Sequence, residues 1–200
     1  MSIMPNARFL VLLITAATLL ASQEIEKLDP ATPRDVQIRL AAEAAPADVT
    51  DHATIMVLGK GGYTVAIPGN NGFTCLVVRE RVDTVEPQCL DATGSRTLLK
   101  AHLYREQQRS KDVAEDAIKA DVESGFKSGR FHAPDRPGLI YMLSPHTIVY
   151  DEDSKKLIKA SGHLMFYAPY ATAKTVGTGK GAPFLANPGT PFAYMIVVPH

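Results

Sequence analysis

The chain has 200 residues, of which 46% are hydrophobic, and its 21 basic and 21 acidic side chains give a formal charge of zero. This length fits one domain, and this hydrophobic content can supply a real core. The balanced charge, with no cluster of basic residues, excludes the electrostatic attraction that a nucleic-acid partner requires, so we expect no nucleic acid to bind.

The first segment has the pattern of a secretory signal peptide. An apolar run over residues 9–20 follows Arg8 and precedes two small residues. The run is shorter than the roughly 20 apolar residues that a transmembrane helix needs. We therefore predict a signal peptide over residues 1–22 and a single α+β domain over residues 23–200. An uncleaved membrane anchor is the alternative.

A signal peptide places the mature chain outside the cytoplasm, so we expect a periplasmic or secreted protein. Removal of the leader takes away Arg8 and no acidic residue, which changes the formal charge to −1. The mature chain has no polybasic or strongly amphipathic surface segment, and we expect no membrane contact after the signal is removed.

The N-terminal third predicts one helix and three strands. The helix covers residues 31–45, and Thr32 is available to cap it. Strands over 53–58 and 63–67 flank a glycine-rich turn and form a hairpin. A third strand covers residues 73–79.

The two cysteines, Cys75 and Cys89, are the expected disulfide pair of an exported chain. Two free thiols or a redox pair are the alternatives, although the C-x-x-C motif of redox sites is absent. Residues 80–94 lack a clear strand or helix pattern, and we expect an irregular segment that the disulfide ties back.

Two helices follow this segment. Over residues 95–109, Leu98 and His102 fall on one apolar stripe and the charged residues lie elsewhere. Over residues 112–127, Asp112 is placed to cap the helix. The two helices form a central pair.

The last third predicts strands. β-Branched and aromatic runs at 139–143, 147–150 and 163–168 are separated by short turns and predict an antiparallel meander. The first and last runs are almost continuously apolar, which indicates a sheet covered on both faces. Residues 171–191 predict a long loop, and residues 192–198 predict a closing strand that pairs with the meander.

Together these elements predict the fold class. Strands followed by helices and then by more strands are typical of an α+β domain. We expect a mainly antiparallel sheet with an N-terminal helix, a central helical pair and a C-terminal β-meander.

The candidate ligand-pocket residues lie in and around the meander. On a strand His163 and Tyr167 share one face, and their apolar bodies with polar tips suit the wall of a pocket. The other candidates from this region are Tyr170, Tyr141 and His146. The alternative is a sheet face beneath the helices, with each hydroxyl bonded to the backbone or to water.

The sequence predicts no metal site and no cofactor, and it identifies no catalytic residue. His132, His146 and His163 match no metal-ligand spacing. The glycine- and lysine-containing stretch at 177–181 lacks the residues of a phosphate-binding loop, and no serine lies in a nucleophile elbow. The residue pattern leaves open whether the chain is an enzyme.

Five strings resemble segments of a set of uncharacterised exported bacterial proteins: NGFTCLV, VEPQC, GFKSGRF, PGLIYMLS and HLMFYAPY. The resemblance covers most of the mature chain. It implies a bacterial envelope or secreted setting, and it carries over no activity, ligand or site residue.

Three functions follow as hypotheses. The first is binding of a small molecule or an envelope protein without catalysis. The second is a small-molecule hydrolase that uses His163 with an acid from residues 130–153. The third is a structural or interaction protein of the cell envelope, which an exposed apolar patch would indicate.

Overall fold

The computed structural model describes residues 27–177 and 184–199, so the predicted signal peptide lies outside the described residues. The strands are β1 (Thr54–Gly59), β2 (Gly62–Ile67), β3 (Thr74–Val78), β4 (Glu86–Leu90), β5 (Leu139–Met142), β6 (Ile148–Asp151), β7 (Lys156–Lys159), β8 (His163–Tyr167), β9 (Phe184–Ala186) and β10 (Tyr194–Val197). The helices are α1 (Arg34–Ala42), α2 (Ala47–Thr50), α3 (Ala92–Arg96), α4 (Leu98–Arg109), α5 (Glu115–Lys127) and α6 (Ala173–Val176).

Eight of these strands form one sheet in the order β2-β1-β3-β4-β5-β8-β10-β9, and β6 and β7 form a separate hairpin. Neighbours in the large sheet run antiparallel except for β1 and β3, which are parallel. Helices packed on a mainly antiparallel sheet make this an α+β fold, as predicted.

Helix α1 covers the β1–β3–β4 part of one sheet face. Its Leu40 and Ala41 are buried there, and the Gln37 amide bonds both the N–H and the carbonyl of Leu58 at 2.7 and 3.0 Å. The predicted cap is wrong, because the Thr32 hydroxyl accepts a hydrogen bond from the Asp29 N–H instead. The helix begins after Pro33 without a side-chain cap.

Helices α4 and α5 cover the opposite face and enclose the largest core cluster. Leu98 and His102 of α4 are buried on the predicted stripe. The predicted cap of α5 is wrong: Asp112 has a φ of 57° and lies before the N-terminal flanking residue, Ala114. The helix begins only at Glu115, whose carboxylate is bonded to Arg109.

Strand β4 lies in the segment that the sequence predicts to be irregular. Its Pro87 lies opposite Val77, two positions from the Cys75–Cys89 pair, whose Cα atoms are only 4.0 Å apart. A pair this close does not exchange backbone hydrogen bonds. Because bonded and non-bonded pairs alternate along antiparallel strands, the Val77–Pro87 pair is also non-bonded, and the Pro87 nitrogen is directed away from β3. On that side β5 pairs only with the Cys89–Leu90 end of β4, so the missing N–H breaks no ladder bond.

The predicted disulfide is confirmed, and it joins β3 to β4. Cys75 and Cys89 are directly opposite each other in the register, and both are fully buried. A loop of this length, about 15 residues, is stabilised by roughly 3 kcal/mol on the chain-entropy account. The bond fixes β4 in the middle of the sheet despite its polar sequence.

Thiol titration should report this bond directly. We expect the protein denatured without reductant to show no reactive thiol, and the protein denatured after reduction to show both of its cysteines. Reaction with an aromatic disulfide reagent in guanidinium chloride measures both values. Two thiols that react without reductant would contradict the assigned disulfide.

The C-terminal strands join the sheet by direct pairing of β5 with β8. The β6–β7 hairpin lies between them in sequence and is linked to the rest by the bridge between Val85 and Ile148. The closing strand β10 pairs with β8, as predicted. The loop predicted over 171–191 contains α6 and β9, so that prediction is wrong at those two elements.

Among residues 27–177 and 184–199, helices lie on only one face of the β5–β8–β10–β9 half of the sheet. On the other face Leu139, Phe166, Met195 and Leu185 stand in register across the four strands. Phe166 is 38% exposed, since α1 packs chiefly on β1, β3 and β4. The prediction of a sheet covered on both faces is therefore wrong for this half.

Candidate functional site

His163 and Tyr167 share the covered face of β8, as the alternation of the strand predicts. The His163 Nδ1–H donates to the carbonyl oxygen of Ser161 at 2.8 Å. Within residues 27–177 and 184–199 no acidic side chain is bonded to His163, so the geometry adds nothing to the hydrolase hypothesis. That hypothesis stays a prediction.

Tyr167 fastens α3 to the sheet. Its hydroxyl donates to Asp91 Oδ1 at 2.9 Å and to the Leu139 carbonyl at 3.1 Å, and Asp91 also caps α3 through the Gly94 N–H. A Cβ at Gly94 would lie 2.1 Å from the Tyr167 hydroxyl oxygen, so only glycine permits this approach. Burial, followed by the charge of Asp91, raises the pKa of Tyr167 and keeps it a neutral donor.

The other three candidates lie elsewhere. Tyr141 is on the opposite face from Tyr167, and its ring centroid is 6.2 Å from that of Phe73. The His146 Nε2 is 3.7 Å from Glu43 Oε2, and Tyr170 lies beyond the end of β8, 55% exposed. The five residues do not form one site, and a ligand role for any of them stays a prediction.

A buried network of charged groups joins α4 to the end of β3. Both Glu106 oxygens accept hydrogen bonds from Arg79, and Glu106 Oε1 also accepts from Arg109 at 2.6 Å. The side chains of Glu106 and Arg79 are only 2% and 8% exposed. Arg109 continues the network to Glu115 through two bonds of 2.8 Å.

Arg109 has no donor left for a ligand. Besides the two glutamates it donates to the carbonyl oxygens of Arg79 at 2.7 Å and Glu80 at 3.2 Å. A guanidinium with every N–H occupied serves as a structural brace. It holds the connection that follows β3 against the C-terminal end of α4.

This network forms the floor of a cleft of about 550 Å³, which we call the charged cleft. Its walls are parts of residues 27–30, residues 58–60 and parts of residues 110–115, with Val82 as an apolar contribution from the β3–β4 connection. The volume lies within the range of small-molecule sites, roughly 300–1,000 Å³. Leu58 and Val113 add further apolar surface.

Charges of both signs remain available at the rim. Lys60 projects from the β1–β2 turn and Asp112 from the α4–α5 connection, and both are exposed. Neither forms an ion pair with another residue of the described part of the chain. Lys27 and Asp29 also line the cleft without an ion pair to another described residue. The charged cleft therefore offers two unmatched cations and two unmatched anions above a floor whose charges are matched.

A second group of ionisable side chains lies between β4 and α4. Glu86 of β4 is 8% exposed, and its Oε2 accepts a hydrogen bond from the Gln88 amide at 3.4 Å. Glu80, at the solvent end, accepts from Arg105 at 2.5 Å. The His102 Nδ1 lies 3.4 Å from Arg105 Nη1, and its Nε2 has no hydrogen-bond partner among the described residues.

The environment moves the pKa values of this group apart. Burial, and then the negative charge of Glu80, raises the pKa of Glu86 to about 7. Burial, and then the charge of Arg105, lowers the pKa of His102 to about 4. Partial burial acts to raise the pKa of Glu80, but the Arg105 guanidinium outweighs it and holds that pKa below its usual value. At neutral pH His102 is therefore uncharged and Glu86 is half protonated.

The residue pattern gives little warning of either group. Arg79, Glu80 and Glu86 belong to or border the segment predicted to be irregular. Glu106 follows His102 by four residues and so lies on the same stripe of α4, although the prediction places the charged residues elsewhere. His102 alone is singled out, as a member of the apolar stripe. Because residues 80–94 are predicted to be irregular, the sequence does not place Glu80 and Glu86 beside α4.

Comparison with known proteins adds no assignment: no protein-family model, no curated protein and no solved structure matches this chain. Among the described helices, none is long and apolar enough to cross a membrane. Within the same residues no group of three histidine, cysteine, aspartate or glutamate side chains is placed to hold a metal ion.

Proposed function

We propose that this chain is an exported domain that binds a small zwitterionic molecule in the charged cleft. The observation that carries the proposal is the presence of unmatched charges of both signs, Lys27 and Lys60 with Asp29 and Asp112, in a cleft whose floor is neutral as a whole. A ligand with one charge of each sign can satisfy both. A ligand with a single charge would meet a repelling group.

The apolar part of the wall adds a second requirement. Leu58, Val82 and Val113 line the charged cleft, so a ligand with an aliphatic body between its charged ends gains from burying it. Free amino acids with apolar side chains and short apolar peptides have this chemistry. The rigid floor supports binding because little of it has to be ordered when a ligand enters.

A periplasmic or secreted location and a bacterial source are part of the proposal. The disulfide supports them, because disulfides persist in oxidising compartments. Small peptides and amino acids are substrates for uptake in such places, and a binding domain needs no catalytic group. No reaction is assigned to the chain.

Titration calorimetry with the dipeptide Leu-Leu tests the proposal. We expect saturable binding of Leu-Leu, and at least about tenfold weaker binding of N-acetyl-Leu-Leu and of Leu-Leu amide, since each has lost one charge and about 1.4 kcal/mol corresponds to tenfold. A protein that binds none of the three contradicts the proposal. Equal binding of all three compounds would support a small-molecule site but would contradict the requirement for a zwitterionic ligand.

Three variants sharpen this measurement. Lys60→Gln should weaken Leu-Leu binding and reduce the preference for the free carboxylate, whereas Asp112→Asn should reduce the preference for the free amine. Asparagine tolerates the left-handed backbone of Asp112, so the second variant preserves the connection. Lys111→Gln is the matched control, because Lys111 is exposed and does not line the cleft.

A further inference from the structure

The connection between β3 and β4, residues 79–85, has two different sides. On one side Arg79 and Val82 line the charged cleft. On the other side the connection carries Glu80, and it leads directly into Glu86. Any change that moves this connection therefore changes the wall of the cleft.

The middle of the connection is lightly held. Its first residues are fixed by Arg109, which bonds the carbonyl oxygens of Arg79 and Glu80. Its last residue, Val85, donates to the Ile148 carbonyl at 3.0 Å. Between these ends the backbone bond is internal, from the Thr84 N–H to the Arg81 carbonyl at 3.2 Å, and the Arg81 guanidinium lies over the Tyr150 ring, 3.9 Å from its centroid.

Glu86 has no cation of its own. The groups that face it come from its own strand, the connection, α4, β10 and β2: Gln88, Glu80, Thr84, Arg105, Tyr194 and Tyr63. Arg105 is the only cation among these six, and its guanidinium is already bonded to Glu80. Burial raises the pKa values of both tyrosines, so they remain neutral.

When Glu86 loses its proton, two carboxylates, those of Glu80 and Glu86, therefore lie beside a single cation, Arg105. A buried carboxylate without a counter-ion is unfavourable, and hydration relieves it. Glu80 is already 47% exposed at its side chain, and the lightly held residues 81–83 follow it directly. Outward movement of residues 81–83, between the two fixed ends, lets water reach the pair.

We propose that the proton on Glu86 controls how tightly the β3–β4 connection closes, so that the wall of the charged cleft loosens when the proton leaves. The effect on ligand binding rests on the proposed function of the cleft. The movement itself does not, and it can be measured without a ligand.

Hydrogen exchange of the Thr84 amide, whose N–H is bonded to the Arg81 carbonyl, tests the proposal, with rates corrected for the intrinsic effect of pH. A carboxyl group that titrates at about 7 when enclosed and at 4.5 when hydrated gives an opening constant that rises about 40-fold from pH 5 to pH 7. In Glu86→Gln, whose amide resembles the protonated acid, we expect less than about a twofold change.

Two comparisons make the result specific. The Ile118 amide, bonded to the Ala114 carbonyl at 3.0 Å in α5, should not follow the rise. Asp83→Asn changes an acid of the same connection that is not among the groups facing Glu86, and it should retain the 40-fold rise expected of the wild type.

Each remaining outcome overturns the proposal. If the exchange rate of the wild-type Thr84 amide does not change with pH, the proposal is overturned. This result needs no variant, so it holds even if the Glu86→Gln protein fails to fold. An equal rise in Glu86→Gln, or an equal rise at Ile118, assigns the opening to another group or to the whole domain. None of these results bears on Leu-Leu binding, which the calorimetric experiment decides separately.

Discussion

Replacing Glu106 with alanine is expected to lower the free energy of unfolding by about 3–5 kcal/mol, the cost of leaving a buried charge without its partner. Glu106 is the only carboxylate bonded to Arg79 among the described residues, and both side chains are almost fully enclosed. Arg109 keeps Glu115 after the substitution, but Arg79 keeps only the Leu28 carbonyl. Urea unfolding followed by far-ultraviolet circular dichroism measures the change.

Glu115→Ala is the matched control. Glu115 is also bonded to Arg109, but its side chain is 49% exposed, so its removal should cost no more than about 1 kcal/mol. The contrast separates burial from the mere presence of an ion pair. If the two alanine variants lose similar stability, the buried network is not the brace described above.

A double substitution, Arg79→Met with Glu106→Leu, completes the argument. Removing both charges leaves no unpaired ion, and apolar groups of similar volume often replace a buried pair at little cost. We expect the double variant to recover most of the stability lost in Glu106→Ala. A double variant as unstable as Glu106→Ala would point to the Leu28 contact of Arg79 as the important one.

The sequence predicts α4 well at the level of packing. Its apolar stripe is local information, since positions three and four apart lie on one face of a helix, and Leu98 and His102 are buried as expected. Burial of Glu106 depends on Arg79, which is 27 residues away and reaches it only once β3 and α4 have packed together. The helical period places Glu106 on the buried stripe, four residues after His102, but it does not identify Arg79 as the partner.

The error at β4 has a different cause. Its residues Glu86, Pro87 and Gln88 are all poor strand formers, and the usual rules read them as a loop. The strand forms because the disulfide and the antiparallel partner β3 impose it, and because Pro87 directs its nitrogen to a place without a ladder bond. Tertiary constraints thus override propensity at the strand that supplies Glu86.

The ligand-pocket candidates illustrate the limit of strand alternation. It places His163 and Tyr167 on one face correctly, since side chains alternate along any strand. It does not reveal that Asp91 and the Leu139 carbonyl engage the Tyr167 hydroxyl. Those partners come from another element and from a neighbouring strand, so only the assembled sheet brings them together.

The stability of the wild-type protein should change little between about pH 4.5 and 6.5, because Glu86 and His102 contribute opposite slopes. The folded state raises the pKa of Glu86 from 4.5 to about 7, so it holds a proton that the unfolded chain has released. The stability from this group is present below pH 4.5 and is lost as the pH rises to 7. Its full size is about 3 kcal/mol.

His102 behaves in the reverse sense. The folded state lowers its pKa from 6.5 to about 4, so the unfolded chain binds a proton that the folded chain refuses. The stability from this group is present above pH 6.5 and is lost as the pH falls to 4, again by about 3 kcal/mol in total. Between about pH 4.5 and 6.5, the stability that His102 contributes rises with pH by about as much as the stability from Glu86 falls.

Single substitutions should expose the two slopes. In Glu86→Gln the free energy of unfolding should rise with pH by up to about 1.4 kcal/mol per pH unit, because only His102 is left to titrate. In His102→Gln it should fall with pH by a similar amount, because only Glu86 is left. Because the chain has no tryptophan, circular dichroism in urea at half-unit steps of pH is the suitable measurement.

Exposed residues of the same types provide the controls. Glu123→Gln in α5 and His52→Gln before β1 should both keep the nearly flat wild-type profile, since both side chains face solvent. The double variant Glu86→Gln with His102→Gln should also be flat, because it lacks both slopes. A flat profile in His102→Gln alone would mean that Glu86 titrates in the fold as it does in the unfolded chain. The carboxyl group would then have no stored free energy with which to move the β3–β4 connection.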